Sequence, residues 1–173
     1  MTAVALTYRL AGAYWALRLG ESALATFACH VQRGHHSKES VGQMYARALT
    51  GDCVVVEHVT VLRPKRAWFN RVQFDPQDAM AERRRLRRRG LHFVGLWHTH
   101  PELTPQPSHE DLALARDHAR AAKPERNGLV FVILGTAAPA EGGLRVWVDD
   151  GQVLFEAGLQ GNDERNDVED GTG

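Results

Sequence analysis

The sequence contains few cysteines, no long apolar stretch and no excess of charge of either sign. Its 173 residues include only Cys29 and Cys53, which are too few for a disulfide framework and match no zinc-binding spacing. We therefore expect both to be small buried hydrophobes in a reducing cytoplasm. No apolar run approaches a membrane span, and the first residues lack the pattern of a signal peptide. The 21 basic residues balance the 21 acidic ones, so net charge indicates no partner.

The length suits one domain, which we place at residues 1–160, with an acidic, glycine-rich and disordered tail at 161–173. The order of elements predicts an α/β sandwich, with a mixed, mostly antiparallel sheet flanked by helices. The predicted elements are strands at 4–10 and 14–19, a helix capped by Ser22, paired strands at 42–46 and 53–61, an irregular segment at 63–74, a helix from Asp75-Pro76 to Gly90, a strand at 92–98, a helix at 108–121, a strand at 128–135 and a hairpin at 144–155.

Two histidines one residue apart end the strand at 92–98. Side chains alternate along a strand, so His98 and His100 point to the same side and can bind one ion together. Asp111 follows a proline-rich loop and offers a third ligand, an oxygen. Three protein ligands leave one position of a tetrahedral zinc ion open, as in hydrolytic sites. The pattern predicts a catalytic zinc site with one Zn²⁺ per chain.

Each half of this pattern also has an ordinary structural explanation. A histidine pair on a strand is usually incidental, and Ser108-x-x-Asp111 is a plain capping box at the start of a helix. The two halves together are far more specific, because the loop between them can fold the helix start over the strand end. A hydrolase also needs a base, and chemistry alone does not distinguish Glu39 from the glutamates at 57, 102 and 110.

Three motifs resemble those of the JAMM (MPN-type) zinc metallopeptidases, namely Glu39-x-x-Gly42, His98-x-His100-Pro101 and Ser108-x-x-Asp111. The resemblance covers about residues 22–135 and implies a cytidine-deaminase-like α/β sandwich. It also implies that His98, His100 and Asp111 bind zinc, that Glu39 is the general base and that Ser108 donates to the oxyanion. Many members of this family cleave peptide or isopeptide bonds at the C-terminus of ubiquitin-like proteins.

The sequences Gly42-Gln43-Met44-Tyr45 and Trp97-His98-Thr99-His100-Pro101-Glu102 resemble a narrower group. They are similar to bacterial stand-alone, deubiquitinase-like JAB peptidases of integrative elements and of CBASS anti-phage operons. This resemblance implies a ubiquitin-like protein or its conjugates as substrate, E1- and E2-like operon partners and a conjugated nucleotidyltransferase target. Two other functions stay open at this point, a peptidase that processes sulfur-carrier proteins and a non-catalytic MPN interaction scaffold.

Two further segments stand out. Trp68 and Phe69 lie between the long strand and the second helix, where the resemblance implies a segment that holds the extended substrate tail, so we expect both to bind substrate. The arginine-rich run at 83–89 is consistent with nucleic-acid binding or with a solvated helix face that turns Leu86 inward. No aromatic residue interrupts the run, and we expect neither nucleic acid nor membrane as a partner.

Overall fold

The computed structural model describes residues 5–34, 37–68, 71–124 and 126–161. Within these ranges the chain forms three α-helices and eleven strands. In chain order they are β1 (Leu6–Arg9), β2 (Ala16–Leu19), α1 (Glu21–His30), β3 (Val41–Ala46), β4 (Cys53–Val56), β5 (His58–Val59), β6 (Pro64–Trp68), β7 (Arg71–Phe74), α2 (Pro76–Arg87), β8 (His92–Thr99), α3 (His109–Ala122), β9 (Leu129–Leu134), β10 (Leu144–Asp149) and β11 (Leu154–Leu159).

Nine of these strands form one sheet in the order β4-β2-β1-β11-β10-β9-β8-β3-β5, and β6 and β7 form a separate hairpin. The pairs β2/β4 and β8/β9 are parallel, and the other pairs in the large sheet are antiparallel. Helix α1 buries Ala23 and Phe27 in the core on one face of the sheet. Helices α2 and α3 bury Leu86 and Ala115 in a second core. The predicted mixed α/β sandwich is confirmed.

Strand β8 lies between β3 and β9 and carries the histidine pair to one end of the sheet. Its register places His98 across from Val41 on β3 and beside Ile133 on β9. Helices α2 and α3 begin at the positions that the sequence predicted, after Asp75 and after Ser108. The Asp75 side chain accepts a hydrogen bond from the Gln77 amide at the start of α2, and Ser108 caps α3.

Gly42 allows the edge of the sheet to approach β8 closely. The Trp97 indole Nε1 donates to the carbonyl of Thr60 at 2.9 Å, directly over Gly42. A Cβ atom at position 42 would lie 1.8 Å from that carbonyl oxygen and 2.4 Å from the indole nitrogen. No side chain fits in this space, so glycine is required for β3, β8 and the edge segment to pack together.

The predicted pairing of 53–61 with 42–46 is wrong in its first half. Residues 53–56 form β4, which pairs in parallel with β2 at the opposite edge of the sheet. Only the second half turns to β3, where Val59 pairs with Met44 and the amide of Thr60 donates to Gln43. The apolar pattern is the same for either partner, so the sequence did not distinguish them.

Three smaller predictions also differ from the structure. Residues 64–68 and 71–74 form the antiparallel strands β6 and β7, where an irregular segment was predicted. Ser22 does not cap α1, because the helix already begins at Glu21 after Gly20, and the Ser22 hydroxyl donates to the carbonyl of Glu57. Cys29 lies on the outer side of α1 and is exposed, although Cys53 is partly buried. Residues 162–173 of the predicted tail lie outside the described residues.

No helix among the described residues is long and apolar enough to cross a membrane.

Candidate metal centre

The ends of β8 and α3 bring together two imidazoles and a carboxylate. Among the described residues, His98, His100 and Asp111 form the group of side chains that could hold one metal ion, with their ligand atoms all within 4.8 Å of one another. We call these three residues the metal cluster. His100 is buried, and the other two are partly buried. The sequence predicted this set, and the structure brings all three residues together.

The loop between His100 and α3 is attached to the end of β9, which folds the helix start over the strand end. The His100 amide donates to the carbonyl of Leu134 at 2.7 Å. Beyond it, the amide of Thr136 donates to the carbonyl of Glu102, and that of Ala137 donates to the carbonyl of Leu103. These main-chain bonds fix the loop without using any side chain of the metal cluster.

The capping box of α3 orients Asp111. Its Oδ2 accepts from the Ser108 amide at 2.7 Å, and the Ser108 hydroxyl accepts from the Asp111 amide at 3.1 Å. The same carboxylate faces the histidines, with Oδ1 3.1 Å from His98 Nε2 and Oδ2 3.3 Å from His100 Nε2. Ser108 itself stays exposed. Capping and presentation of a ligand are therefore compatible in one residue pair.

The spacing of the ligand atoms fits a tetrahedral zinc ion. With metal–ligand bonds of about 2.0–2.1 Å, the ligands of a tetrahedral site lie about 3.3 Å apart. The two His–Asp distances are 3.1 and 3.3 Å, and the two Nε2 atoms lie 3.0 Å apart. Two imidazole nitrogens and one carboxylate are also the donor set of many catalytic zinc sites. Zinc held by these residues would supply Lewis acidity for the activation of water and the polarisation of a carbonyl.

Electrostatics favour a charged Asp111. Burial by itself would raise the pKa of this carboxyl, but hydrogen bonds from His100 and His98 outweigh burial and hold its pKa well below the usual value. The hydrogen bond with Asp111 in turn raises the pKa of His100, against the opposing effect of burial. A carboxylate that stays ionised over the whole physiological range is ready to bind a cation.

Glu102 is a site residue that the sequence did not single out for this position. Its Oε2 lies 3.2 Å from Nδ1 of His100, and Nε2 of the same ring faces Asp111. A carboxylate on the far nitrogen of a ligating histidine fixes the ring and its tautomer. The signal was present, since Glu102 follows His100 by two residues, but only the turn after Pro101 brings it back to the ring.

Glu39 comes just before the β3–β8 pairing and is not part of the metal cluster. The amide of Thr99 donates to the carbonyl of Ser40, which extends the β3–β8 pairing beyond Val41. If this register continued by one more residue, the half-buried Glu39 would lie across from His100, on the face to which both histidines point.

The other candidates are placed less specifically. Trp68 ends β6, and Phe69 lies outside the described residues. His109, between Ser108 and Asp111 in the sequence, is exposed in the first turn of α3. The arginine-rich run forms most of α2, and Leu86 is turned inward with an exposure of 1%.

Comparisons with known proteins identify one relative with a similar sequence and two solved structures with a similar fold. A CD-NTase/cGAS isopeptidase of Pseudomonas aeruginosa is 29% identical over 129 residues, which cover 70% of this chain and 78% of the relative. The solution structure of protein DSY2949 from Desulfitobacterium hafniense matches with a TM-score of 0.58 at 22% identity, over 80% of this chain and 87% of that one. A protein from Salinibacter ruber matches with a TM-score of 0.51 at 18% identity, over 85% and 92% of the two chains. Both structures share the fold.

A family model described as prokaryotic homologs of the JAB domain matches residues 20–149. These residues include α1, the Glu39 segment, the metal cluster and strands β3 to β10. The family indicated by the sequence motifs is therefore confirmed, and the chain belongs to the prokaryotic JAB (JAMM/MPN) domain family.

Proposed function

We propose that this protein is a zinc-dependent isopeptidase that cleaves after the C-terminus of a ubiquitin-like protein or its conjugates. The observation that carries the proposal is the spacing of the metal cluster, whose ligand atoms lie at the edge lengths of a zinc tetrahedron. Membership of the JAB family supports the reaction class. A complete ligand set also favours an enzyme over a non-catalytic MPN scaffold.

In this proposal Glu39 is the general base. It accepts a proton from the attacking water and delivers it to the departing amine, which is the usual exchange of roles in peptide hydrolysis. Two observations support this role: the β3–β8 pairing reaches Ser40, the next residue along the chain, and Glu39 is absent from the group that could ligate the ion. Ser108 is exposed at the helix start, where its hydroxyl can donate to the oxyanion.

The substrate tail is proposed to bind as an extended strand along 63–74. The edge of the sheet leads to this segment, because the amide of Leu62 donates to the carbonyl of Val41, which lies across from His98. The chain then continues directly into the β6–β7 hairpin. Binding by strand addition uses main-chain hydrogen bonds for affinity and side pockets for specificity. Trp68, which ends β6, and Phe69, the next residue in the sequence, are our candidates for the side-chain contacts.

The proposed substrate class follows from the Pseudomonas relative. That protein is named a CD-NTase/cGAS isopeptidase. We propose that this chain likewise removes a nucleotidyltransferase from conjugates made by E1- and E2-like partners in an anti-phage defence system. Processing of a sulfur-carrier protein is the competing peptidase function, and it would require a peptide rather than an isopeptide bond at the cleavage site.

The first experiment compares cleavage of two probes by the purified protein. One probe is a ubiquitin-like protein fused to a reporter, and the other is the same protein conjugated to a lysine of a nucleotidyltransferase. We expect both to be cut, the cleavage to stop with a chelator, and added Zn²⁺ to restore it. Cleavage of the linear fusion alone would favour the sulfur-carrier function. Absence of both cleavage and bound zinc would support the scaffold.

The variant Glu39→Gln tests the assignment of the base. It removes the proton acceptor but no ligand, so we expect zinc content to stay at the wild-type level while turnover falls by at least about 10²-fold. Glu57→Gln is the matched control, because Glu57 is exposed and pairs with Arg47 at 3.1 Å, and it should leave turnover unchanged. An empty site in purified Glu39→Gln would make Glu39 a ligand instead of the base.

A further inference from the structure

Thr99 lies between the two histidines of the metal cluster and is completely buried. Its amide donates to the carbonyl of Ser40 at 3.0 Å, and the Ser40 amide donates to its hydroxyl Oγ1 at 2.9 Å. In a regular antiparallel pair, both of these bonds would join main-chain groups. Here one of the two bonds is made by a side chain, so the last rung between β3 and β8 depends on the residue type at position 99.

Ser40 is held from its other side as well. Its hydroxyl lies 3.3 Å from Nδ1 of His30, the last residue of α1. The ring of His30 packs against that of Trp97, with centroids 5.6 Å apart. Ser40 is thus joined to β8 by Thr99 and to α1 by His30, and Glu39 is the next residue along the chain. The contacts that hold Ser40 therefore also restrict the position of the neighbouring Glu39 backbone, from which its side chain extends.

We propose that the Thr99 hydroxyl is a positioning group that sets the distance of Glu39 from the metal cluster. This inference rests on the role of Glu39 in the proposed function. Without an acceptor at Oγ1, the Ser40 amide would either lose its partner or shift to the main-chain carbonyl of Thr99, and Glu39 would move with it. A displacement of about 1 Å at a reacting group can cost 10²-fold in rate.

Burial alone does not account for a hydroxyl at this position. A polar group in the core costs free energy unless it is hydrogen-bonded, and valine has nearly the same shape without that cost. The hydroxyl of Thr99 instead accepts a hydrogen bond from the amide of Ser40, the residue between Glu39 and the start of β3. A core-filling role requires only the volume of threonine, whereas a positioning role requires its oxygen. The two roles therefore predict different results for substitutions of Thr99.

The test replaces zinc with Co²⁺, whose visible spectrum reports the surroundings of the metal without any substrate. Wild type, Thr99→Val, Thr99→Ser, Thr99→Cys, Glu39→Gln and the double variant Thr99→Val/Glu39→Gln are titrated with Co²⁺ alone. Thermal unfolding shows which variants are folded, and Thr99→Cys provides a weak acceptor of similar volume if the valine variant does not fold. Values of kcat and KM on the linear fusion are measured separately.

We expect Thr99→Val to bind Co²⁺ as tightly as wild type, and its spectrum to change in the same direction as that of Glu39→Gln. Thr99→Ser should give the wild-type spectrum, and the double variant should match Glu39→Gln alone. On the fusion, Thr99→Val should lower kcat about 10–100-fold and leave KM unchanged.

Three results would overturn the proposal. The first is a wild-type spectrum for Thr99→Val, and the second is a tenfold loss of Co²⁺ affinity in Thr99→Val. The third is a double variant whose spectral change is the sum of the changes in the two single variants. Failure of wild type to bind Co²⁺ would remove the metal centre and this proposal together. If wild type binds Co²⁺ but cuts no probe, the proposed function fails while the spectra still decide the role of Thr99.

Discussion

Two polar clusters, one at the end of β8 and the start of α3 and the other between β3 and α2, differ in how their polar atoms are satisfied. The metal cluster at one end directs two imidazole nitrogens and a carboxylate toward one another across about 3 Å. The second cluster, which we call the buried network, lies under α2. Its members are Gln43, Tyr45, Thr60, Glu82 and Arg83.

In the buried network every member makes a hydrogen bond to another member, and Arg83 also donates to the Met80 sulfur outside it at 3.8 Å. Glu82 Oε1 accepts from Gln43 at 2.9 Å, from the Tyr45 hydroxyl at 2.9 Å and from Thr60 at 2.6 Å. Arg83 donates to Gln43 Oε1 and lies over the ring of Phe93 at 3.6 Å, and burial lowers the pKa of Arg83 to about 10.

The comparison separates structural from functional polar groups. In the buried network, charges and donors compensate one another and join α2 to the sheet, so no ligand is needed. In the metal cluster, the lone pairs converge on one point, and a cation satisfies them best. Part of the arginine-rich run is explained in the same way, because Arg83 is a packing residue rather than a free surface charge.

The largest expected effect comes from breaking the metal cluster. Asp111→Ala removes one of the three candidate ligands and the N3 carboxylate of the capping box. We expect zinc content to fall from about one per chain to nearly none, with loss of all chelator-sensitive cleavage. Metal analysis by mass spectrometry measures the first effect. Asp117→Ala, at an exposed position on the same helix, should keep both zinc and activity.

Breaking the buried network should lower the stability of the protein and leave its zinc binding intact, which is the opposite of the effect expected for Asp111→Ala. Glu82→Ala leaves three donors without their acceptor, and we expect it to cost about 2–4 kcal/mol in the free energy of unfolding while the folded protein still binds zinc. Denaturant unfolding gives the loss. Asp78→Ala, one turn earlier on α2 and exposed, should cost less than about 1 kcal/mol. A loss of zinc without loss of stability in Glu82→Ala would contradict the distinction between the clusters.

A smaller effect is expected at the edge of the metal cluster. Glu102→Ala removes the carboxylate that bonds Nδ1 of His100, so zinc affinity should fall about 10–100-fold without complete loss. Competition with a chromophoric chelator measures the affinity. Glu102→Gln keeps an acceptor oxygen and should fall less. Equal affinities for wild type and both variants would show that His100 is oriented without Glu102.

The smallest effect concerns a histidine near the buried network. Burial, together with the charge of Arg83, lowers the pKa of His118 to about 4, whereas the pKa of His100 is raised. Between about pH 4 and 6.5 the unfolded chain therefore binds the extra proton, and the native state should lose about 1–3 kcal/mol as pH falls through this window.

His118→Gln should remove this part of the pH dependence. The measurement is denaturant unfolding of wild type and variant at several pH values, with the exposed His58→Gln as the control. Equal slopes of unfolding free energy against pH in wild type and His118→Gln would show that His118 does not contribute.

The parts of the fold that the sequence predicted depend on local signals. The starts of α2 and α3 follow from Asp75-Pro76 and from Ser108, and β8 and β9 from their apolar runs. The partner of residues 53–56 was missed, because pairing with β2 or with β3 buries the same side chains. The pairing of β6 with β7 was missed because the aromatic and basic residues of these strands do not alternate regularly.

The sequence by itself predicted the candidate ligand set, since strand alternation aligns His98 with His100 and a capping box needs Ser108 with Asp111. Tertiary structure alone decided what surrounds these ligands. The turn after Pro101 brings Glu102 to His100, and the β3–β8 register brings Ser40 to Thr99. The physical reason is the separation along the chain of the residues that interact. Strand alternation and helix capping act over two or three residues, whereas these contacts depend on the tertiary fold and on how separate strands pair.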